Sequence, residues 1–267
     1  MKYAAACVHV KNEETIISEW LSFHRAVGFE HLIVIDNGSS DKTAEIVKRF
    51  RDRSSVSYLF CPVGHPSDFY VQTLKTFGDQ FEWMAFIDAD EFLYPVAGDD
   101  IRNTLSSYRE SSGIGVYWHT YGSSGHEIKP DGLNIDNFTH RALSNFHGNR
   151  HIKSIVRPRD VWYPLSSHMF HVNGAFIDEQ RRVLHREPPF GFFADMEPSH
   201  EFLRINHYHC RSRQQYREKV ERGYFGAEKE KLEMMRSKTE EMWRYSDQND
   251  VEDKSAQRFR NLMEFYL

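Results

Sequence analysis

Trp83-Met84-Ala85-Phe86-Ile87-Asp88-Ala89-Asp90-Glu91-Phe92 is an apolar run of five residues that ends in three carboxylates, with Pro95 close behind. A run this short, bounded by acids and a proline, predicts a buried strand. Its carboxylates then stand at the carboxyl end, where open α/β sheets place their ligands. Asp88 and Asp90 are two apart, so both can approach one site. Carboxylates crowded together repel one another and are costly to desolvate, and a divalent cation holding a nucleotide diphosphate relieves both problems. The triplet is read as an Asp-x-Asp metal site for Mn²⁺ or Mg²⁺; the plainer alternative is a solvated acidic exit from a strand.

Outward from this run, short apolar segments alternate with amphipathic ones, the pattern of βαβ units and a mainly parallel sheet. Upstream, a strand over 4–10 leads to a helix over 14–27 that Gly28 stops, then a strand over 31–35 and a helix over 43–50. A strand over 56–60 and a helix over 69–77 precede the acidic strand. Downstream, 114–118 predicts a strand, and 121–149 a long loop, rich in Gly, Ser, His and Asn, that shapes a substrate site. Residues 150–156 predict a strand closed by Pro158, 170–183 a hairpin turning at Asn173-Gly174, and 203–208 a last strand. Beyond Arg211 charged residues recur with helical periodicity. The expected organisation is an α/β catalytic domain over 1–210 with a helical extension over 211–267 packed on it.

With 267 residues, 40% hydrophobic and 27% charged, the chain has an ordinary soluble composition, and no apolar run approaches a membrane span. The apolar opening is too short for a secretory leader. Cys7, Cys61 and Cys210 cannot all pair and show no Cys-x-x-Cys spacing, so neither a disulfide framework nor a zinc ribbon is expected, and a cytoplasmic location fits best. A net charge of −5 argues against a nonspecific nucleic-acid binder. The Arg- and Lys-rich last segment is a candidate for peripheral contact with anionic lipid, although its glutamates nearly balance it and a solvated helical face is the plainer reading. Among fifteen histidines no tight ligand spacing stands out, so most are expected to be structural.

Several stretches, in order, carry a resemblance. They are Val10-Lys11-Asn12-Glu13-Glu14 with Trp20, His24 and Gly28; Ile35-Asp36-Asn37-Gly38-Ser39-Ser40-Asp41; and Phe86 to Phe92. Gly122-Ser123-Ser124-Gly125-His126, Lys153 to Pro158, and Asn206-His207-Tyr208 followed by Lys219 and Arg222-Gly223 complete the set. On these the chain resembles the GT-A nucleotide-sugar glycosyltransferases, and more narrowly the glycosyltransferase 2-like group related to family 92, also called the domain of unknown function 23 family. The resemblance spans residues 3–226. It implies a Rossmann-type sheet and a hexosyltransferase that moves sugar from a nucleoside-diphosphate donor, a UDP-sugar, to a glycan or lipid-linked hydroxyl with inversion. Polysaccharide or surface-glycan assembly is the implied setting. It also implies that His207 completes the metal site of Asp88 and Asp90.

Each residue has a plainer reading beside the functional one. Asn12 and Glu14 follow the first strand, where short polar groups can grip a uracil or ribose; Asn12 could equally cap the next helix. Asp36 ends the second strand, where a carboxylate can accept from the base or a ribose hydroxyl, yet Asp36-Asn37-Gly38-Ser39 is also a good turn. Lys153, Arg157, Lys219 and Arg222 are candidates to neutralise the departing diphosphate, or else solvated cations. Trp118, Tyr121 and Trp162 are sugar-stacking candidates or core aromatics. An inverting transfer needs a carboxylate base, for which Asp136, Asp178, Glu179, Asp195 and Glu197 lie in the right interval, Asp178 and Asp195 being slightly favoured. A haloacid-dehalogenase-type phosphohydrolase also uses Asp-x-Asp after an apolar strand. There, however, the motif opens the chain and a small or hydroxyl residue follows it, whereas here βα units precede it and Glu91 follows. A third reading is a non-catalytic sugar-binding protein of the same fold.

Overall fold

The β-branched and aromatic runs form thirteen strands among the described residues: β1 (Lys2–Val10), β2 (His31–Asp36), β3 (Val56–Phe60), β4 (Phe81–Asp88), β5 (Glu91–Pro95), β6 (Gly113–Thr120), β7 (His140–Arg141), β8 (Ile152–Val156), β9 (Val161–Ser166), β10 (Met169–Val172), β11 (Phe176–Asp178), β12 (Leu203–His207) and β13 (Val251–Glu252). The helices are α1 (Ile17–Ala26), α2 (Thr43–Arg51), α3 (Pro66–Phe77), α4 (Ile101–Leu105), α5 (Asn134–Asn137), α6 (Arg213–Arg222), α7 (Lys229–Ser237), α8 (Thr239–Ser246) and α9 (Arg260–Met263). The structure is a computed structural model that describes residues 1–51, 55–62, 64, 66–184, 196–223 and 229–266.

The main sheet runs β3-β2-β1-β4-β8-β6-β12-β5, with β11 also paired to β6. Strands β1 to β4 are mutually parallel, β8 is antiparallel to both β4 and β6, and β6 is parallel to β12. The carboxyl ends of β1, β2, β4, β6 and β12 therefore share one edge. This is the mainly parallel α/β sheet expected from the alternating pattern. One face carries α1 and α2 over a core that includes Trp20, Phe23, Phe92 and Tyr94. The other carries α3 and the β9–β10 hairpin, with Phe86 and Phe170 in contact at 4.7 Å.

Two expectations change. The hairpin is β9–β10, and its tip is Ser167-His168. At Asn173-Gly174 the chain instead crosses to β11. Gly174 (φ +139°) passes so close to Ser112 that a Cβ would lie 2.3 Å from its Oγ, so close approach, not a hairpin turn, requires the glycine. Nor is the last segment all helix. Its run of polar residues at 247–250 breaks the periodicity, β13 pairs with β7, and Asp253 accepts from Arg141 Nε at 2.7 Å and from Arg204. Beyond this clamp Ala256, Phe259 and Met263 enter the same core as α1, with Phe259 edge-on to Phe23. The 121–149 region is also tied down: Glu19, buried on α1, accepts from the N–H groups of Asn134 and Ile135. No helix among the described residues is long and apolar enough to cross a membrane.

His24 on α1 is fully buried; its Nε2 accepts from Leu93 N–H, so Nδ1 carries the proton and donates to Trp20 C=O at 2.8 Å. Burial lowers its pKa to about 3, against 6.5 when free. The unfolded chain thus binds the proton first, and stability falls as pH drops below 6.5. The loss should be about 1.4 kcal/mol per pH unit from this residue alone. Urea midpoints at pH 7.5 and 5.5 will check it; equal midpoints would contradict a neutral buried imidazole.

Candidate functional site

The end of β4 is held from below. Lys153 on β8, 1% exposed, donates to Asp88 Oδ2 and to Ser167 Oγ, each at 2.7 Å, and lies 3.7 Å from Glu91 Oε1. Burial disfavours the Lys153 charge, but Asp88 and Glu91 outweigh it and hold the ammonium above its ordinary range. Glu91 accepts from Asp88 N–H at 2.8 Å, and burial pushes its carboxyl above the ordinary carboxylate range. Trp20 Nε1 donates to Asp88 C=O. Asp88, its side chain 46% exposed, is thereby anchored on a permanent internal counterion.

Asp90 sits in the turn between β4 and β5. Tyr208 N–H donates to its carbonyl, which brings the chain leaving β12 alongside. Asp90, His207 and His209 each offer a ligand atom, and these atoms lie within 4.8 Å of one another. Burial would raise the Asp90 pKa, but Lys219, His207 and His209 override it and hold the carboxyl well below the usual range. Burial pushes His207 well below its ordinary value, and burial together with Lys219 takes His209 down to about 3. One ionised carboxylate and two neutral imidazoles form a donor set that fits a divalent transition ion. His207 packs against Trp118 with ring centroids 4.1 Å apart.

Lys219 reaches this cluster from α6, whose Ser212–Gln215 capping box begins the helix on the same side. Its Nζ lies 2.5 Å from Asp90 Oδ2 and 3.2 Å from His209 Nδ1. Beside it opens a cleft of about 220 Å³ lined by, among others, Asn12, Glu14, Asp41, Arg211, Lys219 and Arg222. Arg222 donates to the carbonyls of Lys11 and Asn12 and to Glu13 Oε1, joining α6 to the β1–α1 loop.

Of the residues selected from sequence, Asn12, Glu14, Lys219 and Arg222 share this cleft, and Asp90 and His207 share the candidate metal cluster. Asp88 stands outside that cluster, on Lys153. His209 takes the third place; the signal for it was His207-x-His209 at the end of a strand, since residues two apart on extended chain face the same side. Asn12 (φ +55°) and Glu14 tie two loops together: Asn12 Oδ1 accepts from Ser40 N–H and Glu14 Oε2 from Lys42 N–H. Asp36 is fully buried, accepting from Ser39 N–H and the Tyr58 hydroxyl, each at 2.7 Å. The turn thus engages Oδ1, and Tyr58 on β3 engages Oδ2.

Asp178 is not brought to the site. It is fully buried and paired with Arg182 at 2.5 Å. In register it lies three strands from Phe86, through Gly115 and Ser154, about 14 Å across the sheet. Glu179 accepts from the N–H groups of Phe202 and Leu203, Glu197 pairs with Arg150 and Asp136 with Arg260. Asp195 lies outside the described residues. Arg157 is buried over Trp83 and bonded to Glu82, Tyr121 is buried in the core, and Trp162 is 63% exposed on the hairpin. His9, not selected from sequence, is in register with Asp88, and burial lowers its pKa to about 4.

A family model described as glycosyltransferase family 92 matches residues 73–248. A glycosyltransferase family 92 protein of Ricinus communis is 27% identical over 180 residues, 64% of this chain and 32% of that protein. One of Oryza sativa subsp. japonica is 27% identical over 157 residues, 57% of this chain and 26% of that protein. The chain thus spans about a third or less of the length of these curated relatives. Among solved structures, S. aureus TarS in complex with UDP aligns over 99% of this chain and 70% of that one at 14% identity, with a TM-score of 0.44.

Proposed function

The chain belongs to glycosyltransferase family 92, and from that premise we propose that it transfers a hexose from a UDP-sugar to a hydroxyl of a glycan or lipid-linked acceptor, with inversion and with a divalent cation. The observation that carries this is the cluster of Asp90, His207 and His209 at the carboxyl edge of the sheet, sharing Lys219 with a cleft.

Asp90, His207 and His209 would hold the ion, with Asp88 on its approach. Two imidazoles among the donors suit Mn²⁺ better than Mg²⁺, which prefers oxygen. When bound, the ion neutralises charge on the diphosphate leaving group. Lys219 and Arg222 orient that diphosphate from α6, and Lys153 anchors Asp88 beneath it. Asn12, Glu14 and Asp36 shape the loops against which the nucleoside lies. The acceptor oxygen forms its bond to the anomeric carbon as the bond to the diphosphate oxygen breaks, and its proton passes to a carboxylate. Of the two carboxylates favoured from sequence, Asp178 is paired with Arg182, and Asp195 is the one proposed for that role.

A ligand that binds only the native state raises its melting temperature, by the equivalent of about 2.7 kcal/mol at one hundred times Kd. UDP with Mn²⁺ should therefore raise the melting temperature clearly. CMP- and GDP-sugars should do less, and Asp90→Asn should remove the Mn²⁺-dependent part. Equal shifts with all nucleotides, or none with any, would overturn the assignment.

A further inference from the structure

Asp88 and Asp90 each carry a lysine, but the two lysines are built differently. Lys153 is on a central strand, 1% exposed and held by Asp88, Glu91 and Ser167, so it has nowhere to go. Lys219 is on a surface helix and lines the cleft, with its ammonium on Asp90 Oδ2 and beside His209 Nδ1. Those are two of the three groups whose ligand atoms converge. An ammonium 2.5 Å from that oxygen and 3.2 Å from that nitrogen stands where an ion held by the same atoms would stand.

We infer that Lys219 is an exchangeable counterion: it neutralises Asp90 until a divalent cation displaces it, and the displaced ammonium then turns into the cleft to meet the diphosphate. This rests on the proposed metal and donor site, and adds that the two ligands are coupled through one side chain. A cation binding alone must break the Lys219–Asp90 pair and leave the ammonium to the carboxylates and water of the cleft; a cation arriving with a diphosphate offers it a more highly charged partner. Each ligand therefore tightens the other by the same factor. The groups around Lys219 are Asp90 and His209 on one side, and Glu13, Glu14, Asp41 and Glu218 with Arg211 and Arg222 along the cleft.

The test is Mn²⁺ binding to the whole chain, followed by the electron paramagnetic resonance signal of free Mn²⁺, with and without UDP. Without UDP, Lys219→Met and Lys219→Gln should bind Mn²⁺ about tenfold more tightly than the unaltered chain, because the competitor is gone. Lys219→Arg, which keeps the charge, should bind as weakly as the unaltered chain. With UDP present, both neutral variants should lose most of the gain in Mn²⁺ affinity that UDP confers. Unchanged or weaker Mn²⁺ binding in both neutral variants, alongside UDP-dependent Mn²⁺ binding that Asp90→Asn abolishes, would overturn the exchange and leave the metal site standing. Absence of Asp90-dependent Mn²⁺ binding in every variant would overturn both.

Discussion

Asp90→Asn is expected to lower sugar transfer by at least about two to three orders of magnitude, the usual cost of removing one preorganised electrostatic group from an active site. Asparagine keeps the shape and loses the charge that three cationic or imidazole groups converge on. The fold should survive. The backbone bond from Tyr208 N–H to the Asp90 carbonyl does not depend on the side chain, and Lys219 can turn to the cleft and water. Initial rates with a UDP-sugar and Mn²⁺, beside an unchanged circular dichroism spectrum, measure this. Near-normal metal-dependent turnover would refute the proposed site.

Lys153→Met should act on stability instead. The ammonium is buried between Asp88 and Glu91, and removing one member of a buried ionic group typically costs about 3–5 kcal/mol because its partners lose their compensation. Glu91 is wholly enclosed and must then stay protonated or drag water inward. For a chain of this size the melting temperature should fall by about 6–12 °C. The fall should shrink toward acidic pH, where Glu91 is neutral in both variants. A variant that melts with the unaltered chain at pH 7.5 would show that the lysine contributes only to ligand binding.

The first half of the fold was readable because each strand there is a short apolar run followed by residues at helical spacing, and parallel βαβ units leave that trace locally. Strand β9 was not, since Pro164 in its middle argues against a strand; the two-stranded hairpin tolerates it because it is all edge. Strand β5 was hidden for another reason. Its residues are buried on both faces and show no alternation, and its partner β12 is remote in sequence. At the candidate site, Asp90 and His207 are legible from type and position, and His209 from its spacing two residues beyond His207. Asn12, Glu14, Asp36 and Asp178 mark the limit. Side chains that bind ligands also cap helices and close turns, and here these four are bonded to Ser40, Lys42, Tyr58 and Arg182.

Phe259 and Met263 seal the same core that the first helix opens, behind the clamp of Asp253 on Arg141 and Arg204. Everything through Asp250 already supplies both aspartates, both histidines and the cleft helix, yet without residues 256–263 α1 lacks part of its cover. Phe23 and Tyr94 are thus left partly uncovered until Phe259 packs against both. Closure of this core therefore depends on residues 256–263 and not on the βαβ units alone.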